Sequence, residues 1–351
     1  MRKMATIRVI DALNPIEGAD AIECATIGGW KVVVKKGEFN VGDRAVYCEI
    51  DSWIPTEIAP FLSKGKEPRE FEGVKGERLR TVKLRGQISQ GLLMPLSVLI
   101  RPSPLGGMCT VPYVVDADVT EFLGILKWER PMNAQLAGMA RGNFPSLIPK
   151  TDQERAQNMV KEIVSANEAG MRYEITEKLE GSSMTVYLID GEFGVCSRNL
   201  DLKETEGNAF WQVARRDGIE EKMRNETDEN WDFAIQGELI GPGIQGNIYN
   251  LKEVEFRVFD VYDITHGCYL NPLPRRELID SMRLKHVPVL VSAGSLYDTL
   301  GITDIPQLLK FAEGKSVMGM IGCEREGLVF KEISGGMTFK VISNKYLLGE
   351  K

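Results

Sequence analysis

The sequence predicts an α+β protein of two domains: a small all-β unit, then a larger one of antiparallel sheets flanked by helices. Three observations point there. At 351 residues the chain exceeds a single core, since a domain averages roughly 150 residues. Residues 4 to 50 alternate apolar and polar side chains in short runs broken by Gly, Asn and Asp. Beyond residue 170, strand-like runs meet at turns such as "IDGEF" and "SGGM" instead of alternating regularly with helices, which favours antiparallel over doubly wound sheets.

The first unit reads "ATIRVIDAL", "IECATIGGWKVVVKK", a turn at "GEFNVGD", and "RAVYCEI". In the following "ERLRTVKLRGQISQGLLMPL", period two places Arg78 and Arg80 on one strand face, and Lys83 with Arg85 after a change of phase. From Lys64 to Arg85 eight basic residues stand against four acidic ones, within a chain of net charge −7. A five-strand barrel with a basic face fits an OB-fold; a solvated edge strand guarded by charge fits the same residues. The Pro- and Gly-rich "RPSPLGGMCTVP" and the aperiodic stretch after it place the domain join between about 115 and 150. We set it at 125/126, giving domains 1–125 and 126–351.

"TDQERAQNMVKEIVSANEAG" predicts a helix opened by a Thr151–Glu154 capping box. Its apolar stripe is Ala156, Met159, Val160, Ile163 and Val164, and Gly170 ends it. Strands are expected at "RYEITEKL", "SMTVYLI", "EFGVCSR", "DFAIQGELI", "EFRVFDVYDI", "GLVFKEI" and "MTFKVIS", with helices near 206–224, 274–283 and 305–313.

Residue counts narrow the chemistry. Six cysteines stand singly, without a CxxC pair or clustered histidines, so they are expected as reduced thiols and not as a zinc site. His266 and His286 are the only imidazoles, and a Ser-His-Asp hydrolase would have to use one of them. Any catalysis is expected to run on Lys, Arg and carboxylates, the set used with metal ions in phosphoryl and nucleotidyl transfer. No apolar run approaches the roughly 20 residues of a membrane span, and no targeting signal is evident, so an intracellular protein is expected.

Lys178 stands between Glu177 and Glu180 in "EITEKLEG", where a strand breaks at Gly181. A lysine reacts only when its amine is neutral, and alone this one reads as a solvated turn residue. The strands behind it hold matching parts: Glu238 followed by Gly241 and Gly243 in "GELIGPG", Glu326 beside Gly327 in "EREGLVFK", and Lys340 inside the apolar "MTFKVIS". Each of these has a plain structural account of its own.

Taken in order, Lys178 of KxxG, Glu238 of "GEL", "FRVFD" at Phe256 to Asp260, "EGLVFK" at Glu326 to Lys331 and Lys340 of "FKV" resemble motifs I, III, IIIa, IV and V of the covalent nucleotidyltransferases. "CSRN" and "EKLEGSS" resemble the RNA ligases of that superfamily more than the DNA ligases. The leading "NPIEGADAIECATIGGWKVVVKKGEFNVGD" and "LRGQISQGLLMPL" resemble the Naegleria-type RNA ligase family, whose OB domain precedes the transferase domain. Only eleven residues follow Lys340, so an OB domain behind motif V is not expected.

The resemblance implies an OB-like β-barrel, then a nucleotidyltransferase (ATP-grasp-like ligase) domain. It implies ATP as substrate, with AMP carried on Lys178, and Mg²⁺ or Mn²⁺ as cofactor. The implied partner is RNA with 5′-phosphate and 3′-OH ends, sealed at nicks in duplex RNA by a monomer. By the same resemblance Glu177 lies at the adenine edge, Phe256 stacks on the purine, and Arg198 and Glu238 fix the ribose. Gly181 admits the nucleotide, and Glu238, Glu326 and Glu180 hold metal. Lys340 neutralises the α-phosphate and lowers the pKa of Lys178, Arg155 is a further phosphate contact, and Arg78, Arg80, Lys83 and Arg85 bind RNA. Two departures stand out: Glu180 replaces the usual Asp, and Ile342 replaces a second motif V lysine; Lys345 is a candidate substitute, but strand parity places it on the opposite face from Lys340. DNA ligation by the same chemistry, and non-catalytic RNA binding, remain as alternatives.

Overall fold

Short β-branched runs closed by tight turns become antiparallel strands throughout the computed structural model, which describes residues 2–102, 107–130, 138–226, 231–319 and 322–349. The chain divides into two units, residues 1–131 and 132–351. In the first, Arg44–Cys48 is the centre of a three-stranded sheet with Ala5–Val9 and Leu92–Pro95, and Ala12–Ile16, Ala19–Ile27 and Trp30–Lys35 form another. A four-stranded sheet centres on Ser52–Pro55 and Val74–Arg78. Leu126 and Lys127 pair with Trp53 and Ser52 at its edge, so these two residues belong to the first unit. Ile7, Val46, Ile54, Met94, Leu99 and Leu123 are among the side chains that fill the core.

The basic run does not form one free face. Arg78 is half-buried, its guanidinium bound to Asp51 at 2.5 Å and lying 3.5 Å from the Trp128 ring centroid, so it is committed to structure. The Val74–Arg78 strand ends there, which removes the parity expected to align Arg80 with it. Lys83 and Arg85 instead ride an exposed hairpin, Val82–Leu84 with Gln87–Ser89. It turns at Arg85 and Gly86, both left-handed (φ 49° and 82°), as a two-residue hairpin loop requires.

The second unit packs two sheets. The seven-stranded sheet runs Ala140–Asn143, Leu200–Leu202, Glu192–Cys196, Ser182–Ile189, Phe233–Ile240, Glu255–Asp263, Cys268–Tyr269. One face buries Met184, Val186, Ile235, Phe256 and Val258 with Trp211 and Met223 of the helices Ala209–Arg216 and Ile219–Asn225. The four-stranded sheet runs Val289–Ser295, Arg172–Lys178, Gly327–Glu332, Thr338–Ile342. It buries Tyr173, Ile175, Phe330 and Phe339 with Leu308 of the helix Ile305–Ala312. Among the described residues no helix is long and apolar enough to cross a membrane.

The helix predicted from 151 starts nine residues later, at Val160–Glu168, and Gly170 (φ 69°) follows its end. The Thr151–Glu154 box is not formed. The Glu154 carbonyl accepts the Lys340 amide at 2.8 Å and its carboxylate accepts from Arg155 N and Asn158 Nδ2, while Arg155 bridges in parallel to Lys340.

A buried ionic cluster ties the two sheets together. Glu174 and Lys331 stand opposite each other on neighbouring strands. Glu174, fully buried, is bound by Arg275 and, at 3.2 Å, by Arg276 of the helix Pro272–Ser281. Lys331 reaches Asp260 Oδ1 and the Phe259 carbonyl, each at 2.6 Å, and Arg275 approaches Asp260 at 3.6 Å. Burial pushes the Lys331 ammonium down to about 8 despite Asp260. His286, which accepts from Arg275 Nε at 3.2 Å, is driven by burial and that cation to about 3 and stays neutral.

Candidate active site

Lys178 is the last residue of its strand, where the chain leaves the four-stranded sheet and enters the seven-stranded one at Ser182. The crossover is tight because two glycines allow it. A Cβ on Gly181 would lie 2.3 Å from the Leu239 carbonyl, and one on Gly327, directly opposite Lys178, would lie 2.1 Å from the Val341 carbonyl. Glycine here serves close approach between backbones, with no need for positive φ.

This crossing converges the predicted charges. Lys178 Nζ is 2.8 Å from Glu326 Oε1, the residue before Gly327. Glu238, opposite Ser183 on the adjoining strand, sits beside the same amine. Burial pushes the lysine toward the neutral form, but Glu326 and Glu238 outweigh it and the net direction is up. Arg155 is a cation that opposes its protonation. Glu238 is pushed up to about 8, by burial first and by the like charge of Glu326, although Lys178 and Arg198 pull the other way. The Gly181 amide also stabilises its carboxylate.

Lys340 shares the sheet face of Lys178, since Thr176, Val329 and Lys340 are directly opposite one another across three strands. Arg198 follows the Glu192–Cys196 strand and is held by Asp152 at 3.0 and 3.1 Å. Glu177, 1% exposed, accepts from the Ser316 hydroxyl and from Val317 N at 3.0 Å. Burial raises its pKa and these donors oppose the rise. Glu180 is half-buried, and its amide donates to Tyr249 Oη at 2.7 Å.

Two expectations are corrected. Phe256 is directly opposite Leu239, on the face away from Glu238, and is 3% exposed in the sheet core against Gly237. A ring so enclosed has no face to offer a base. The second aromatic of "FRVFD", Phe259, falls at a register shift opposite Gln236 and Gly237 and packs against the cluster of Leu179, Ile240, Tyr249 and Val287. Lys345 is in a short helix, Asn344–Leu348, capped by Ser343, so strand parity does not govern its direction. Neither histidine takes part: His266 is in a turn with Asp263, and His286 is in the buried cluster.

Residues 4–96 match a family model described as an OB-fold domain, and residues 171–346 match the RNA ligase model. A structure of a Naegleria gruberi RNA ligase variant without ligand is 45% identical over 99% of this chain and 97% of that one, with a TM-score of 0.87. The chain belongs to the RNA ligase family. Its OB-fold domain precedes the ligase domain, as the sequence order implied. A Naegleria gruberi RNA ligase variant with ATP and manganese is likewise 45% identical, over 98% of both chains, with a TM-score of 0.86. The enzyme with pyrophosphate is 45% identical over 99% of this chain and 98% of that one, also at 0.86. Among curated protein sequences none matches.

In this ligase, sequence reasoning missed Ser316, Phe259 and Tyr249. Phe259 carried a signal, because "FRVFD" offers two aromatics of opposite parity. The other two are loop residues whose role arises only from a partner about 70 to 140 positions away.

Proposed function

We propose that the chain is an ATP-dependent RNA ligase that works through a lysyl-AMP intermediate and seals a 5′-phosphate to a 3′-OH at nicks in duplex RNA, as an intracellular monomer serving RNA repair. The supporting observation is the placement of Lys178, with Glu326 at 2.8 Å and Glu238 alongside, at the crossing of two sheets in an RNA ligase domain. Related structures with ATP and manganese, with AMP and manganese, and with pyrophosphate name the substrate, cofactor and products that this reading needs.

Lys178 Nζ, having released its proton to solvent, attacks the α-phosphorus of ATP. An N–P bond forms, the bond to the bridging oxygen breaks, and pyrophosphate leaves with the electron pair. Lys340 and Arg155 are the cations at hand for the phosphate charge. An RNA 5′-phosphate oxygen then displaces the lysine, and a 3′-OH attacks the activated phosphate and expels AMP. Glu177, oriented by Ser316 and Val317, serves the adenine edge. Phe259 replaces Phe256 as the aromatic for the purine face, and Arg198 serves the ribose after release from Asp152. Arg80, Lys83 and Arg85 face RNA from the OB domain.

Glu326 and Glu238 fit a divalent cation. Two half-buried carboxylates beside one lysine leave Glu238 with a pKa of about 8, a conflict that either a proton or a cation relieves. Among the described residues no three acidic, His or Cys side chains gather into a full cage. This suits a Mg²⁺- or Mn²⁺-type ion that keeps much of its shell for water and phosphate. Such an ion would supply charge neutralisation at the phosphates; Glu180, one methylene longer than the usual Asp, is assigned to it by the resemblance alone.

The test is a nicked duplex offered as all-RNA, all-DNA and mixed strands with ATP and Mg²⁺ or Mn²⁺. Fastest sealing of the nick with RNA at its 3′-OH side supports the proposal. Faster sealing of all-DNA establishes DNA ligation instead, and salt-sensitive binding without sealing establishes a non-catalytic binder.

A further inference from the structure

Lys178 is useful only if the turn that follows it is rigid. Leu179, Glu180 and Gly181 connect the two sheets, and each is fixed by a different contact. Leu179 is 3% exposed and packs with Tyr249, Ile240 and Val287. The Glu180 amide donates to the Tyr249 hydroxyl at 2.7 Å, and the Gly181 amide stabilises the Glu238 carboxylate. Glu238 comes from the strand and Tyr249 from the loop that the strand runs into.

That loop, 241–250, is built at some cost. Gln245, Asn247 and Asn250 all take left-handed φ (48°, 42° and 51°), and Gly241 at φ 125° has no room for a Cβ, which would lie 2.6 Å from the Glu253 carbonyl. Asn247 closes the far end by exchanging hydrogen bonds with Leu251, at 3.0 and 3.1 Å. Strained conformations persist where the surroundings over-determine them, and they concentrate at functional sites. What this loop delivers is a phenol 3% exposed, with its oxygen on the lysine turn. Burial first, and then Glu326, Glu177 and Glu180, raise that phenol's pKa, so it remains protonated in the middle of the site's carboxylates.

We propose that Tyr249 is a positioning residue for the lysine attack, holding the Glu180 amide so that Lys178 Nζ meets the α-phosphorus in line. The inference rests on the reading that Lys178 carries AMP. It concerns only reactions in which the lysine bonds to phosphorus. Closing a strand that is already adenylylated uses the pocket, the metal and the RNA, and makes no bond to Lys178.

The Tyr249→Phe variant keeps the ring and removes the acceptor. At saturating ATP its single-turnover rate of protein–AMP formation is expected to fall about 10- to 100-fold, the scale of a small misalignment. The ATP concentration for half-maximal rate stays within about threefold, since the nucleotide contacts are elsewhere. Sealing of a pre-adenylylated RNA nick without ATP also stays within about threefold, and doubles as the control for folding. Wild-type rates in both reactions overturn the inference, and so does an equal loss in both, which assigns Tyr249 to the general structure of the pocket. If the wild-type protein forms no adduct, the lysyl-AMP reading itself fails, and that result is distinguishable from the other two.

Discussion

Lys178→Ala is expected to form no protein–AMP adduct and to seal a 5′-phosphate nick at least about 10⁴-fold more slowly than wild type, while still closing a pre-adenylylated nick. The split follows from roles. Alanine cannot form the N–P bond, so a mechanism through this residue has no bypass at the first step. Glu326, Glu238 and Lys340 remain in place for the last step, although removing Lys178 leaves the Glu326 carboxylate without its 2.8 Å partner. Single-turnover assays on the two nicks measure both arms. Retention of 5′-phosphate sealing by the variant would contradict the covalent mechanism, and loss of both activities would show that Lys178 holds the site together instead of reacting.

The second large effect is on stability. Arg275→Ala is expected to destabilise the protein by about 3–5 kcal/mol, because removing one cation from a buried ionic cluster leaves the remaining charges under-compensated. Glu174 is 0% exposed, and Arg276 at 3.2 Å is its remaining partner. For a domain of this size the midpoint of thermal unfolding falls by roughly 6–20 °C. Arg275→Lys keeps a charge and loses the planar fork, so it is expected to fall between. Calorimetry of the three proteins decides: a loss under about 1 kcal/mol for Arg275→Ala would show that the cluster does not hold the sheets.

That cluster also marks the limits of reading the sequence. Lys178, Glu238, Glu326 and Lys340 could be picked out because each sits at a strand end or inside an apolar strand beside glycine, where a charge needs a reason. Their order implied one site; the fold brings Lys178, Glu238 and Glu326 to one crossing and puts Lys340 on the same sheet face as Lys178. Phe256 was assigned by the resemblance alone: "FRVFD" offers two aromatics, and the register that buries Phe256 opposite Leu239, away from Glu238, is not visible in a single sequence. Arg78 read as free surface because its partners, Asp51 and Trp128, are distant in sequence. The Thr151–Glu154 signal is a sound local helix start, overridden by a backbone pairing with Lys340 that only tertiary structure supplies. Tyr249 had no local signal, since its hydroxyl matters only after the 241–250 loop has folded against the lysine turn.

Whether Lys178 carries AMP can be read from the mass of the protein itself. Wild-type protein is incubated with ATP and Mn²⁺, and the intact mass and the peptide containing "YEITEKLEGSSM" are determined by mass spectrometry under conditions that preserve a phosphoramidate. The expected result is a gain of one AMP per chain, localised to Lys178 and discharged by added pyrophosphate. An adduct on any other residue, or no adduct while RNA is still sealed, would contradict it.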